Sequence, residues 1–256
     1  MTGIGQTGRG RLRCAAIGLL VAAGALVAPA GAGATTSALG IPCVPQAGVQ
    51  FCQGDGAALR VPGSDGKVLL DVNVALPPGN PTNLPLVIQM HGWGGAKSGI
   101  DAMKALAARG YAVLNYTSRG FGNSCGSPAS RTSSAAAVTG CAQGWIKLMD
   151  TRYEIRDAQD LAGKLADAGL VDGQRVGAVG GSYGGGFSMA LAALKDRIMN
   201  ATTGQLAPWT SPAGKPMRIA AAAPFIPWTD LVYSLMPNGR TLDYAITSGN
   251  PDAAQS

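Results

Sequence analysis

The chain has 256 residues, of which 46% are hydrophobic and 13% are charged. This length suits one large α/β domain or two small ones with a sizeable core, and the low charge excludes a solvated, disordered polyelectrolyte. The 38 glycines and 16 prolines follow no fixed period, which excludes collagen. The formal charge of +6 comes from scattered lysines and arginines rather than from a basic patch, so we expect no nucleic-acid partner.

The amino terminus has the pattern of an export signal. Arg9, Arg11 and Arg13 precede an apolar run over residues 14–27, and small residues follow where cleavage would occur. The run is shorter than the roughly 20 residues that span a bilayer, so it does not predict a transmembrane anchor. We therefore expect residues 1–34 to be removed and the product to be secreted or extracytoplasmic, with no stable membrane anchor.

Four cysteines remain beyond the signal, and an even number in an exported chain suggests two disulfides. Of the three possible pairings we favour Cys43–Cys52 and Cys125–Cys141, because each closes a short loop rich in Gly, Ser and Pro. We expect no metal site, since the sequence lacks a C-x-x-C pair and His91 is its only histidine. No cofactor is expected either.

Hydrophobic patterning predicts an irregular entry over residues 35–66, followed by alternating strands and helices. Alternation from Val68 to Leu76 predicts a strand buried on one face, with Asp71 and Asn73 on the other face. Short apolar runs predict further strands at 86–90, 111–116, 175–179 and 218–223, and helical spacing predicts helices at 99–109, 154–168 and 189–194.

This alternation predicts an α/β protein with a mostly parallel, doubly wound sheet and helices on both faces. A long excursion rich in Ser, Gly and Ala covers residues 118–150, and loops of that length are usually functional or excluded from the core. The core is expected over residues 67–225, followed by a loop-rich tail at 226–256.

One turn carries a candidate nucleophile. The residues Gly180-Gly181-Ser182-Tyr183-Gly184 follow an apolar strand at once and open a helix, as in a nucleophile elbow of the type Gly-x-Ser-x-Gly. A phosphate-binding turn of the type G-x-G-x-x-G is disfavoured, because it needs glycine where Ser182 stands. The second match, Gly122-Asn123-Ser124-Cys125-Gly126, lies past its strand, and Ser124 is expected to be a loop residue beside a disulfide.

An acyl-transfer serine also needs hydrogen-bond donors for the oxyanion. The backbone N–H of Tyr183 is one candidate, at a helix N-terminus. The second is expected from the loop that contains Gly92 and Trp93, and the less favoured alternative for that loop is an ordinary strand-to-helix turn. His91 is expected to brace this loop, because a role as general base would invert the usual chain order of Ser, acid and His.

Several motifs together resemble one family, the X-Pro dipeptidyl-peptidase and cocaine-esterase-like acyl hydrolases. They are Ser64-Asp65-Gly66, His91-Gly92-Trp93-Gly94-Gly95, Ser118-Arg119-Gly120-Phe121-Gly122, Arg156-Asp157-Ala158-Gln159, Gly180-Gly181-Ser182-Tyr183-Gly184-Gly185 and Pro227-Trp228-x-Asp230. The resemblance covers about residues 60–235. It implies an α/β-hydrolase fold and a serine hydrolase that cleaves a small ester or a peptide, with Ser182 as nucleophile. In some members a tyrosine side chain is the second oxyanion donor, and here Trp93 stands in its place.

The resemblance also implies a helical cap after the sixth strand, followed by the Asp and His of the triad. Here no histidine follows Ser182. We therefore expect a C-terminally truncated member that lacks the cap and the last strands, in which residues 226–256 begin the cap and Asp230 lies at its entrance. Two hypotheses follow: an exported serine hydrolase whose sequence is cut short, with little turnover as it stands, or a non-catalytic binding module.

Overall fold

The computed structural model describes residues 37–79, 81–132, 141–230 and 234. The predicted signal, at residues 1–34, lies outside them. Within them are the strands β1 Ser37–Ala38, β2 Ile41–Gln46, β3 Val49–Gln53, β4 Val61–Pro62, β5 Leu69–Leu70, β6 Val72–Leu76, β7 Leu84–Met90, β8 Ala112–Tyr116, β9 Val171–Gly181, β10 Arg197–Met199, β11 Leu206–Pro208 and β12 Ile219–Phe225. The helices are α1 Ile100–Ala107, α2 Pro128–Thr132, α3 Glu154–Asp167 and α4 Tyr183–Leu194.

Eight of the strands form one sheet in the order β1-β2-β3-β6-β8-β7-β9-β12. The last four strands in this order run parallel to one another, whereas the pairs from β1 to β8 are antiparallel. The predicted strands of the parallel part are confirmed, and β9 extends further toward both ends than its apolar run indicates. The parallel part brings the carboxyl ends of β7 and β9 to the same edge, where ligands of open α/β sheets bind.

Helices cover both faces of the sheet. On one face Met103 and Ala107 of α1 pack with Val113, and on the other Leu114 packs in the large cluster that includes α3 and α4. Successive residues of β8 thus enter opposite cores, as the two-residue period of a strand requires. The predicted helices at 99–109 and 154–168 are confirmed with slightly shorter ends.

The entry segment is not irregular, contrary to the sequence-based expectation for residues 35–66. It contributes β1, β2 and β3, and Cys43 and Cys52 stand directly opposite each other in the β2–β3 hairpin. A turn at Ala47 and Gly48, both with positive φ, connects the strands. The prolines of β2 suggested a loop, but proline is tolerated next to a sheet edge, and Ile41 and Cys43 alternate as buried residues with exposed neighbours.

The single strand predicted at 68–76 is instead two strands, β5 and β6, which belong to different sheets, and β6 is buried on both faces. Asp71 and Asn73 were placed on an open face, yet they are 5% and 3% exposed. The carboxylate of Asp71 pairs with Lys97 at 2.8 Å, and Asn73 accepts a hydrogen bond from Gly54 N–H and donates one to Ser98 O. These polar side chains are buried because they attach neighbouring loops to the sheet.

Both predicted disulfides, Cys43–Cys52 and Cys125–Cys141, are present. The second connects the two sides of the long excursion, of which residues 133–140 lie outside the described part. The excursion is not excluded from the core at its start, where Arg119 and Ser124 are fully buried. Near that start the chain forms a turn at Gly122–Gly126, in which Ser124 and Cys125 have non-helical backbone angles, and α2 follows.

A further hairpin and the start of the tail also lie in the described residues. The β10–β11 hairpin, which the sequence analysis missed, follows α4 and packs against α3. The tail predicted at 226–256 is described only at residues 226–230 and 234. No helix in the described part of the chain has the length and apolar character needed to cross a membrane.

Candidate active site

Ser182 occupies the hinge between β9 and α4. Its φ of 56° and ψ of −117° lie where non-glycine residues are rarely found, so the turn stores backbone strain of about 1–3 kcal/mol. The turn is anchored because Ser182 N–H donates to Phe225 O of β12 at 3.0 Å. The half-buried hydroxyl has no hydrogen-bond partner among the described residues. A strained serine with an unengaged hydroxyl fits a reactive group better than a structural one.

The glycines around Ser182 are required by the packing of the turn. A Cβ on Gly180 would lie 2.6 Å from Gly184 O, and a Cβ on Gly184 would overlap Met90 O. Helix α4 also begins at Tyr183, six residues earlier than its sequence pattern predicts, and thus immediately after Ser182. The steric requirement explains the Gly-x-Ser-x-Gly spacing in this chain.

The second match to the pattern has a different structure. Ser124 is fully buried; its hydroxyl donates to Thr117 O at 2.7 Å and accepts from Asp71 N–H at 2.9 Å. These bonds hold the excursion against β6. The prediction that Ser124 is a loop residue beside a disulfide is confirmed, since Cys125 forms one of the two bridges.

The loop that follows β7 lies beside Ser182. A Cβ on Gly92 would be 4.0 Å from Ser182 Cβ and 3.8 Å from Gly181 O, so the backbone of this loop lines the serine. The first N–H groups of α4, including that of Tyr183, have no acceptor within their own helix and point toward its N-terminal end. Gly92, Trp93 and Tyr183 are thus brought to the same place as Ser182.

The Trp93 side chain packs through its ring and, among the described residues, does not act in place of a tyrosine hydroxyl. Its indole packs edge-on against the rings of Phe121, at 5.3 Å, and Tyr183, at 5.5 Å. The side chain is nevertheless 59% exposed. Trp93 is therefore held in place while one surface of the indole faces solvent.

Both ring nitrogens of His91 are engaged by the backbone. Nε2 accepts from Ser118 N–H at 2.9 Å, and Nδ1 lies 2.7 Å from Gly92 O. These contacts define the neutral form with the proton on Nδ1. Burial lowers the pKa of His91, and the hydrogen bond to Gly92 O offsets this in part. The imidazole thus connects the β7 loop to the start of the excursion, and neither nitrogen is directed at Ser182.

Asp230 lies five residues beyond the end of β12, and its backbone carbonyl accepts from the N–H and the hydroxyl of Ser234. The nearby Trp228 packs against Tyr183 with ring centroids 6.1 Å apart. Trp228 and Met149 also line an apolar cavity of about 390 Å³ along α4. Its other lining residues are Leu148, Gly186, Met189, Ala190, Ala193 and Thr229.

The motifs at 64–66, 118–122 and 156–159 meet in a buried ion pair. Arg119 binds Asp157 through two hydrogen bonds of 2.7 and 2.6 Å and binds Asp65 at 2.9 Å, and Ser64 donates to Asp157 through its N–H and its hydroxyl. Burial opposes the charge of Arg119, but the two carboxylates more than offset it and raise its pKa. This cluster holds the excursion on α3 and is part of the frame of the site.

The sequence analysis missed Glu154, the first residue of α3. Its carboxylate is fully buried and accepts hydrogen bonds from Lys147 N–H, Met149 N–H and the hydroxyl of Tyr183. An acidic residue at the start of a helix is common at exposed N-termini, so the pattern alone does not indicate burial. Tyr183 lies within the glycine-rich turn, directly after Ser182, and its position gave no separate signal for a role of its hydroxyl.

A mixed sheet whose parallel half ends in a strand–serine–helix turn, with a glycine loop beside the serine, defines an α/β-hydrolase. Residues 64–212 match the family model described as acetyl xylan esterase (AXE1). The chain therefore belongs to the acetyl xylan esterase family. This confirms the predicted α/β-hydrolase fold and serine hydrolase class, whereas the narrower X-Pro dipeptidyl-peptidase or cocaine-esterase type stays a prediction.

Solved structures of esterases are also similar to the chain. An acetyl xylan esterase from Paenibacillus sp. R4 is 21% identical with a TM-score of 0.39, over 59% of this chain and 48% of that one. Acetyl xylan esterase 1 from Thermoanaerobacterium sp. JW/SL YS485 is 22% identical with a TM-score of 0.39, over 62% and 46%. The chain thus spans less than half the length of these two proteins. No curated protein sequence matches the chain.

Proposed function

We propose that this chain carries the nucleophile and the oxyanion donors of an exported serine esterase. Ser182 Oγ attacks the carbonyl carbon of an ester and loses its proton, the alcohol leaves with a proton, and water then hydrolyses the acyl-enzyme. The observation that carries the proposal is the strained hinge at Ser182, with a half-buried hydroxyl that no described residue engages.

The oxyanion would be bound by backbone N–H groups on two sides of the serine. Tyr183 offers one from the N-terminus of α4, where the helix dipole favours negative charge. The Gly92–Trp93 backbone offers the second, which is supported by its closeness to the serine, since a Cβ built on Gly92 would lie 4.0 Å from Ser182 Cβ. We assign no oxyanion bond to the Trp93 indole, because its ring is packed between Phe121 and Tyr183.

His91 is assigned as the brace of the oxyanion loop. With Nε2 bonded to Ser118 N–H and Nδ1 at Gly92 O, it is not arranged to take the proton of Ser182. It is also the only histidine of the sequence. We therefore expect low catalytic turnover by these 256 residues. The same observation supports the second candidate, a non-catalytic binding module. Asp230 is assigned to the entrance of a cap rather than to a triad.

For the substrate we propose an acetyl ester of a carbohydrate, in keeping with the family to which the chain belongs. The alternative is a peptide cleaved after X-Pro. The signal-like amino terminus and the two disulfides support export. Acetylated xylo-oligosaccharides and an X-Pro anilide, supplied as competitors of active-site labelling, would distinguish the two substrate classes.

The test is covalent labelling by a fluorophosphonate. We expect slow labelling at Ser182, because no described imidazole takes its proton, with at most one label per molecule located by peptide mass spectrometry and none in Ser182→Ala. The matched control is Ser124→Ala, which removes the serine of the other Gly-x-Ser-x-Gly turn and is expected to keep the label on its folded fraction. Equal labelling of the wild type and of Ser182→Ala would refute the assignment.

A further inference from the structure

Glu154 connects three separate parts of the site. It begins α3, it is fully buried, and its two carboxylate oxygens receive three donors. Oε1 accepts from Lys147 N–H at 2.7 Å, and Oε2 accepts from Met149 N–H and from Tyr183 Oη, each at 2.5 Å. The carboxylate thus joins the end of the long excursion to the residue that follows Ser182.

The segment held by this carboxylate has an unfavourable backbone. Leu148 and Met149 are consecutive non-glycine residues with φ of 53° and 62°. Such residues cost about 1–3 kcal/mol each and persist only where their surroundings determine them. Met149 N–H also lies 3.2 Å from Tyr183 Oη, so the segment and the tyrosine are bonded to each other as well as to Glu154.

The hydroxyl of Tyr183 acts as a donor in this network. Burial and the Glu154 carboxylate raise the pKa of Tyr183, so the phenol keeps its proton. The ring is fully buried between Phe121, Trp93 and Trp228. Since Tyr183 is anchored at its ring and at its hydroxyl, its backbone has little freedom to rotate.

We propose that Glu154 is a positioning residue of the esterase site, which fixes the oxyanion donor Tyr183 through its hydroxyl and holds Met149 against α4. This inference rests on the proposed function, in which the N–H of Tyr183 binds the oxyanion. A donor that moves by a fraction of an ångström loses much of its transition-state stabilisation but little binding of the ground state.

Two buried tyrosines next to Glu154 provide a matched pair of variants. Tyr183 donates to the carboxylate, whereas Tyr116, equally buried, donates at 3.4 Å to the backbone carbonyl of the same residue. Tyr183→Phe and Tyr116→Phe each remove one buried hydroxyl with almost no change in volume. Both variants are therefore expected to fold, while only the first alters the network that fixes the oxyanion donor.

The kinetic measurement is the fluorophosphonate labelling of Ser182, resolved into a maximal rate constant and a half-saturating concentration. We expect Tyr183→Phe and Glu154→Gln to lower the rate constant about tenfold with the half-saturating concentration within about twofold. Tyr116→Phe should match the wild type. Equal losses in both tyrosine variants, or a change in the half-saturating concentration alone, would overturn the proposal.

Hydrogen exchange separates this proposal from the assignment of Ser182. In Glu154→Gln one carboxylate oxygen becomes an amide NH2 group, so at least one of the amides of Lys147 and Met149 loses its acceptor, and we expect that amide to exchange at least about tenfold faster, with no change in Tyr116→Phe. If the wild type were not labelled at Ser182, the proposed function would fail, while these exchange rates would still report on the hydrogen bonds of Glu154. Unchanged protection of both amides in Glu154→Gln would overturn the role of Glu154.

Discussion

The chain contains the same five-residue pattern twice, and the two copies are used in opposite ways. In the strand–helix turn, Gly180–Gly184, the serine has a strained backbone and a hydroxyl that no described residue engages. In the loop turn, Gly122–Gly126, the serine hydroxyl is buried with both a donor and an acceptor. A short sequence pattern therefore specifies a turn, and its surroundings decide whether the serine is available for chemistry.

The first glycines of the two turns are also required for different reasons. A Cβ on Gly180 would approach the backbone of Gly184 to 2.6 Å, whereas a Cβ on Gly122 would meet the Thr117 methyl group at an ordinary 3.5 Å. Gly122 is instead favoured by its positive φ of 37°. The first glycine of the strand–helix turn is thus needed to bring a strand and a helix together, and that of the loop turn is needed for backbone conformation.

The largest effect is expected from removing the buried Arg119–Asp157 ion pair, which lies next to the loop turn. Arg119→Met leaves the fully buried Asp157 with only the Ser64 donors, so we expect a loss of about 3–5 kcal/mol in the free energy of unfolding, measured by urea denaturation. The control is Arg152→Met, which removes a surface pair with Asp150. Its unfolding midpoint should not change. Equal midpoints for the two variants would contradict the structural role of Arg119.

A smaller effect is expected from comparing the two serines directly. Ser124→Ala leaves Thr117 O and Asp71 N–H without their partner, so we expect a loss of about 1–3 kcal/mol in the free energy of unfolding. Ser182→Ala removes no hydrogen bond of its side chain within the described residues and should be unchanged in stability, measured in the same denaturation experiment. The opposite order would mean that the roles of the two serines are reversed.

The sequence predicted the parallel half of the sheet well, because its strands are buried on both faces and appear as short apolar runs. It predicted the two disulfides because each pair is close along the chain. It failed for β2 and β3, since proline and glycine obscured the alternation of Ile41 and Cys43. It also misplaced Asp71 and Asn73, because their burial depends on loops that arrive from elsewhere in the chain.

The candidate site was predictable only in part for the same reason. Ser182 is recognisable because the strand, the turn and the helix that present it are consecutive. Gly92 lies in the loop after a separate strand, yet a glycine loop after a buried strand is itself a local signal. Glu154 has no such signal, because its partners Lys147, Met149 and Tyr183 come together only in three dimensions. Local patterns identify the nucleophile, and long-range packing identifies what holds it.

The smallest expected effect concerns His91, which connects the two turns. Its Nε2 accepts a hydrogen bond from Ser118 N–H near the loop turn, and the His91 backbone lies next to Gly184 of the strand–helix turn. Burial lowers the pKa of His91 from 6.5, so the unfolded chain binds a proton at a higher pH than the folded chain does. The contribution of the neutral His91 imidazole to the free energy of unfolding is therefore fully present above pH 6.5 and is lost as the pH falls from there toward the folded-state pKa. In His91→Gln this decline should be absent.

The measurement is the free energy of unfolding between pH 8 and pH 5.5 for both proteins, because subtracting the two profiles removes the contribution of the carboxylates that they share. As His91 is the only histidine, its NMR titration gives the folded pKa without ambiguity. Identical profiles, or a folded pKa above 6.5, would show that the imidazole is not held neutral between the two turns.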